Sequence, residues 1–441
     1  MLNINGHAST FCDGVSRRSA LRVGTLGLAG FADLGLDQII RARAAAPRSA
    51  RRHSSVIFVE LAGGPTQFET YDPKPDAPQE YRGAFGVLDT RLPGVLFSEW
   101  MPRQAAIADK LTIIRSIYHP SNSHDPSSHL TQTGYYKRGP KGGPNQMPAF
   151  GCVVAKLRAP DKAALPTYVA VPRAMRNGGP AHLGKSYNPF ETLGDPSRSD
   201  FKVQNLALEA SLDLRRLDDR RGLLGALDAR RRLADLQGAS EAVDDFTYQA
   251  FDMITGPAAK IAFDIGRESH ALRDTYGRNT TGQSLLLARR LVEHGVSCVT
   301  VRVTGWDDHS KIAQGLKKKC PSYDQGLAAL VADLHDRGMT DDVLVIAMGE
   351  FGRTPRVNKN AGRDHWGSVM SVLLSGGRLR TGVLGASNSR GEVPIRNAYR
   401  PENVLAMLYR HLGIDPATSF ADFTGRPRPV LERRELIKEL V

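Results

Sequence analysis

Cysteine is scarce in this chain: the 441 residues hold four, Cys12, Cys152, Cys298 and Cys320, and none stands in C-x-x-C or other zinc-ligand spacing. A thiolate zinc framework is thereby excluded. Cys298 lies in the apolar run VSCVTV and reads as a small core residue. A disulfide between two of the last three stays open for an exported protein, with nothing to choose the pair. No apolar run is long enough to span a bilayer. No strand-like segment is followed by G-x-G-x-x-G, which disfavours a nucleotide-dependent oxidoreductase. A concentrated basic tail is also missing. The 59 Lys and Arg against 46 Asp and Glu leave a formal charge of +13, but the excess is mostly Arg scattered through amphipathic segments without a recognition motif. That pattern describes a solvated basic surface able to attract anionic substrates, and argues against specific nucleic-acid binding.

What is present begins at the amino terminus. Adjacent Arg17 and Arg18 precede a modestly apolar, Gly-rich stretch, and Ala44 to Ala46 offer an A-x-A cleavage pattern. Residues 1–46 resemble a twin-arginine export signal. The resemblance implies delivery of a folded chain by the twin-arginine machinery to the periplasm or cell envelope, with no transmembrane span. An ordinary amphipathic helix is the competing reading, because Asp33 and Asp37 interrupt the apolar core.

From residue 47 onward helical and strand patterns alternate. SSVIFVEL, LTIIRSIY, TYVAV, VSCVTVRV, VLVIAMG and SVMSVLLSGG are short apolar runs that read as buried strands. AFGCVVAKLR, GQSLLLARRLVEHG, SYDQGLAALVADLHDRG and ENVLAMLYRHLGI carry three- and four-residue apolar spacing and read as helices. Alternation of this kind predicts an α/β fold with a mostly parallel sheet and helices on both faces. Residues 203–275 read as a helical insertion, so residues 47–441 form one domain.

Chemistry-bearing residues collect where the strands stop. WDDH places Asp307, Asp308 and His309 after one strand, GEFGRTP places Glu350 and Arg353 after another, and GRDHW adds Asp364 and His365. The loop HPSNSHDPSSH, with His119, His124, Asp125 and His129, follows a third. In open α/β sheets, ligands bind beyond the carboxyl ends of the strands. Carboxylates and imidazoles together suit a divalent transition metal, zinc or manganese among them.

Those motifs, with LAGGPTQFETYDPKP near the start, resemble a twin-arginine-exported bacterial family of unknown function placed within the alkaline phosphatase and sulfatase superfamily. The resemblance spans most of residues 56–415 and implies an alkaline phosphatase-like fold acting on phosphate or sulfate esters. Sulfatases carry their nucleophile in Cys-x-Pro-Ser-Arg, with Thr-Gly following nine residues after it; His124, Pro126, Ser127 and Thr133-Gly134 keep that spacing here. His124 thus stands at the nucleophile position, as nucleophile or as metal ligand, and Ser128 replaces the Arg. The same resemblance makes Asp307, His309, Glu350 and His365 metal ligands, while Phe351 removes one. Gly63 or Gly64 stands where an acidic ligand is expected, which Glu69 or Asp72 would have to replace. Arg353 would balance the charge of an anionic small-molecule or glycan substrate. The alternative is a degenerate, non-catalytic member that binds an anionic glycan or a cell-envelope partner.

Overall fold

Every residue of Ser55–Leu61 is buried. A strand covered on both faces reads as a continuous apolar run, and this one lies mid-sheet. The structure, a computed structural model, describes residues 54–139, 142–158, 165–203 and 257–441. The proposed signal at 1–46 and residues 204–256 of the expected insertion lie outside them; the rest of that insertion includes helices Pro257–Phe263 and His270–Tyr276.

The central sheet contains β1 (Ser55–Leu61), β2 (Thr112–Ile117), β3 (Tyr168–Val171), β4 (Phe190–Glu191), β5 (Cys298–Val303), β6 (Val343–Met348), β7 (Met370–Gly376) and β8 (Gly382–Leu384). Their order is β8-β2-β7-β6-β1-β5-β3-β4. All neighbours run parallel except β7, which is antiparallel to both β2 and β6. Val59 sits opposite Val301 on one side and Ala347 on the other.

Helices α1 (His124–Thr133), α2 (Phe150–Arg158), α3 (Thr280–Glu293), α4 (Ile312–Asp336) and α5 (Pro401–Leu412) include those that cover the sheet. Successive side chains of a strand point to opposite faces. Ile57, Val59 and Leu61 accordingly join the core containing Leu285 and Leu291 of α3 and Leu327 of α4. Val56 and Phe58 join the other core, with Phe150 and Val153 of α2 and Leu405 and Leu408 of α5. Each such fully buried side chain contributes roughly 1.5–3 kcal/mol. The two cores make the sheet a rigid floor for whatever projects from its edge.

Three details differ from the pattern in the sequence. Helix α4 starts at Ile312 rather than Ser322 and runs through Pro321, because Ile312, Leu316 and Cys320 bury one face while Pro321 stays exposed. Helix α1 starts at His124, inside the expected loop. Cys152, Cys298 and Cys320 are buried and unbridged.

Candidate metal centre

Strands β1, β2, β5 and β6 run parallel, so their carboxyl ends share one edge of the sheet. β7 runs the other way, and its first residue, Met370, pairs with Ile117, the last of β2. The segment preceding β7 therefore opens onto that same edge. By this topology Gly63 and Gly64, His119, Asp307 to His309, Glu350 to Arg353, and His365 all reach one rim. A two-residue antiparallel ladder fixes the last of these, setting His365 opposite Arg353.

Four of these side chains converge. Nε2 of His309 and Nε2 of His365 are 2.9 Å apart, and each lies 3.0 Å from Asp307 Oδ1. His124 Nε2 lies 3.3 Å from Asp307 Oδ2. Donor atoms of His124, Asp307 and His365 all fall within 4.8 Å of one another. On the outer side each ring is anchored through Nδ1: His365 to the Asn122 carbonyl at 2.9 Å, His309 to Asp364 Oδ1 at 2.7 Å, and His124 to Glu350 Oε1 at 2.6 Å. A carbonyl or carboxylate accepts only, so Nδ1 carries the proton and donates. A neutral ring then directs its Nε2 lone pair inward. Metal-bound histidines show this arrangement, the outer N–H held by a carboxylate or carbonyl.

Inward lone pairs and carboxylate oxygens at contact distance repel unless a ring is protonated or a cation lies between them. Burial disfavours the charged form of His365 and outweighs the pull of Asp307, so its pKa falls. The hydrogen bond to Glu350 raises that of His124 against the opposing effect of burial. For Asp307, burial opposes ionisation, but the hydrogen bond and positive charge of Arg353 override it and hold the carboxyl well below the usual range. Two ligands at tetrahedral angles, each roughly 2.0–2.1 Å from one zinc, stand roughly 3.3 Å apart. The donor set and its spacing fit a single cation.

The other residues singled out in the sequence have different surroundings. Both Glu350 oxygens accept the Gly63 N–H at 3.1 Å, and Oε1 also takes His124, so Glu350 stands behind the ring of donors. Arg353 is 1% exposed. Its guanidinium donates to the carbonyls of Gly63, Gly64, Trp306 and Arg363 and to Asp307 Oδ1, the last at 2.6 Å. Asp308 is held by Lys319. His129 is buried, its Nδ1 2.7 Å from the Tyr135 carbonyl, and His119 Nε2 meets the Glu350 carbonyl at 2.7 Å. Glu69 pairs with Arg363 at 2.7 Å and Asp72 with Lys74 at 2.9 Å; neither replaces the missing acidic ligand. Phe351 is fully buried, its ring 5.1 Å from that of His124 and 4.3 Å from that of His365.

Beside the donors opens a cavity of about 660 Å³ whose lining includes His124, His365, Asn122, Asn145, Arg176 and Asn177. The last three come from Gly/Pro-rich loops that carry no sequence signal placing them at the site. Arg176 in particular is one arginine among many in a basic chain.

No curated protein matches the sequence. Solved structures do match at low identity. Ps i-CgsB, determined in complex with k-i-k-neocarrahexaose, is 11% identical over 82% of this chain and 72% of that one, with a TM-score of 0.40. The alkaline phosphatase from the Antarctic bacterium TAB5 is 12% identical over 82% and 99%, with a TM-score of 0.37. The PsFucS1 sulfatase from Pseudoalteromonas sp. is 11% identical over 85% and 70%, with a TM-score of 0.36. A family signature matches the sequence over residues 53–441, and by that match the chain belongs to DUF1501, a family of proteins of unknown function.

Proposed function

We propose that this chain is a metal-dependent hydrolase of phosphate or sulfate esters in which His124, Asp307, His309 and His365 hold one divalent cation. One observation carries the reading: three Nε2 atoms, each ring pinned from outside through Nδ1, face one carboxylate. Imidazole and carboxylate without thiolate suit zinc, manganese or iron. When bound, such a cation polarises an ester oxygen and acidifies water. Glu350 orients His124 and is itself fixed by the Gly63 N–H. Arg353 positions Asp307 and holds it ionised. In the purified protein His365→Ala should abolish bound metal by elemental analysis and any metal-dependent turnover of aryl phosphate, phosphodiester or aryl sulfate. Unchanged metal content in that variant sinks the assignment.

Phe351 favours a second reading, binding without turnover, because its ring packs on both His124 and His365 and stands where the superfamily resemblance expects a further ligand. Metal-loaded protein that retains an anionic glycan, yet hydrolyses no ester at a rate dependent on His124 or Glu350, selects it.

Export to the periplasm or cell envelope belongs to the same proposal. Arg17, Arg18 and the small residues Ala44 to Ala46 support it. A tagged precursor with Lys at positions 17 and 18 should remain in the cytoplasm; its arrival in the periplasm counts against the twin-arginine route.

A further inference from the structure

The cavity beside the centre, about 660 Å³, falls in the range of roughly 300–1,000 Å³ usual for small-molecule sites. Its walls are not usual. Such sites are lined mainly by hydrocarbon side chains; here, apart from two imidazoles and two glycines, every lining residue carries an amide, hydroxyl, carboxylate or guanidinium.

The wall is also fixed in place. Asn177 has left-handed backbone at φ 57, and its amide donates to the Asp125 carbonyl and to Ser128 Oγ, both at 2.9 Å. Asn145 Nδ2 donates to the Asn177 carbonyl at 2.6 Å. The Asp125 carboxylate is already taken by Lys137, by Asn177 and by the Gly142 N–H. Four groups are left over. Among the described residues Asn122 Nδ2, Ser123 Oγ and Asn145 Oδ1 make no hydrogen bond, and the exposed Arg176 guanidinium makes no hydrogen bond or close ion pair, although its charge acts on the buried Glu60 carboxyl from beyond contact distance. A cation beside a cavity of hydroxyl-matching donors and acceptors describes the complement of an anionic, polyhydroxylated ligand.

We propose that Arg176 is the anion-binding residue of this site, and that the cavity takes an ester of a polyhydroxylated alcohol, a sugar phosphate or sugar sulfate. Asn122, Ser123 and Asn145 meet the hydroxyls. The proposal rests on the hydrolase reading for the bond that is cleaved, but not for the chemistry of binding. A planar guanidinium offers a tetrahedral oxyanion two parallel N–H bonds, which an ammonium group does not. Arg353 cannot serve, since it is buried and all three of its guanidinium nitrogens already donate within the protein. An aryl group in this cavity would leave the amides unpaired, and sites built around polar partners reject such analogues strongly.

Isothermal titration of the full-length, metal-reconstituted protein tests this with a hexose monophosphate, the matching hexose monosulfate, free hexose and phenyl phosphate as probes. At least one hexose ester should bind about tenfold or more tightly than phenyl phosphate, and the stronger of the two identifies the ester class. Arg176→Ala should weaken that ester about tenfold or more and leave free hexose unaffected, while Arg176→Lys recovers part of the loss. Asn145→Ala should weaken free hexose and the hexose ester but spare phenyl phosphate. Equal affinity for phenyl and hexose esters overturns the sugar assignment. An Arg176→Ala affinity within about twofold of wild type overturns the role of Arg176, because one charge-assisted bond is worth more than that. Binding of none of the probes overturns both. Titration needs no turnover, so the expected affinities in a protein that hydrolyses nothing remove the hydrolase reading and leave this one standing; hydrolysis with affinity indifferent to Arg176 does the reverse.

Discussion

Arg353 donates to four carbonyls and one carboxylate, and the loops it joins follow three different strands. Replacing it by Met removes the charge and leaves those acceptors buried without a donor. Unpaired buried groups cost about 1–3 kcal/mol each, so Arg353→Met should lower stability in urea by about 3 kcal/mol or more; a change within about 0.5 kcal/mol, the range of ordinary surface substitutions, would show that the side chain positions nothing. His119 gives a pH-dependent counterpart. Burial pushes its pKa down from 6.5 to about 4, against the hydrogen bond to the Glu350 carbonyl. The folded state favours the neutral ring, so its stabilisation is present above pH 6.5 and is lost as the pH falls toward 4, by on the order of 3 kcal/mol for a shift of this size. His119→Gln should flatten that part of the stability profile; an unchanged slope of unfolding free energy against pH would assign the acid lability elsewhere. At this scale the sequence was readable in part. His124, Asp307, His309 and His365 could be found because acids and imidazoles at strand ends are conspicuous. His129 and Asp125 have the same composition, but one turn of α1 sends His129 into the interior and Lys137 claims Asp125. Arg176 carries no contrast in a chain with a net charge of +13.

The turn after β1 shows how an element can decide the shape of the site. Gly64 has φ +85, and a Cβ there would meet Phe351 ring carbons at 2.4 and 2.5 Å. Both the backbone and the ring thus exclude a side chain. Gly64→Ala should cost the left-handed backbone penalty of about 1–2 kcal/mol plus the displacement of Phe351. Removing the ring should relieve the ring contact but not the Phe351 carbonyl, which a Cβ at position 64 would meet at 2.8 Å: in Gly64→Ala/Phe351→Ala the alanine should cost less than in the wild-type background, yet at least about 1–2 kcal/mol. Additive losses in the double variant would mean the two residues do not press on each other. Most strands and helices were legible because apolar runs and three-to-four-residue spacing survive in the sequence. The antiparallel direction of β7 was not. SVMSVLLSGG is as apolar as its parallel neighbours, and burial on both faces is what sets composition, not strand direction. The beginning of α4 was hidden for another reason: Pro321 punctuates the sequence, yet on the exposed side of a long helix it is tolerated.

Across the whole molecule, the site residues are far apart in the chain. His124 is 183 residues from Asp307 and 226 from Glu350, whereas His365 is 58 from Asp307. Contacts of such separation close late, because loop-closure entropy precedes any reward from the contact. No single hairpin or βαβ unit contains the proposed donors; they meet only when β2, β5, β6 and β7 share one sheet. A cation that needs all of them can bind the finished sheet and little else, so its binding energy adds to global stability and not to one loop. Each tenfold excess of free metal over its dissociation constant should then add about 1.4 kcal/mol to the unfolding free energy, seen as a midpoint that climbs with metal concentration in a single transition. A midpoint indifferent to metal would separate the cation from the fold. If it climbs, the centre reports on completed assembly: the chain acquires its metal only after strands from both halves have found each other.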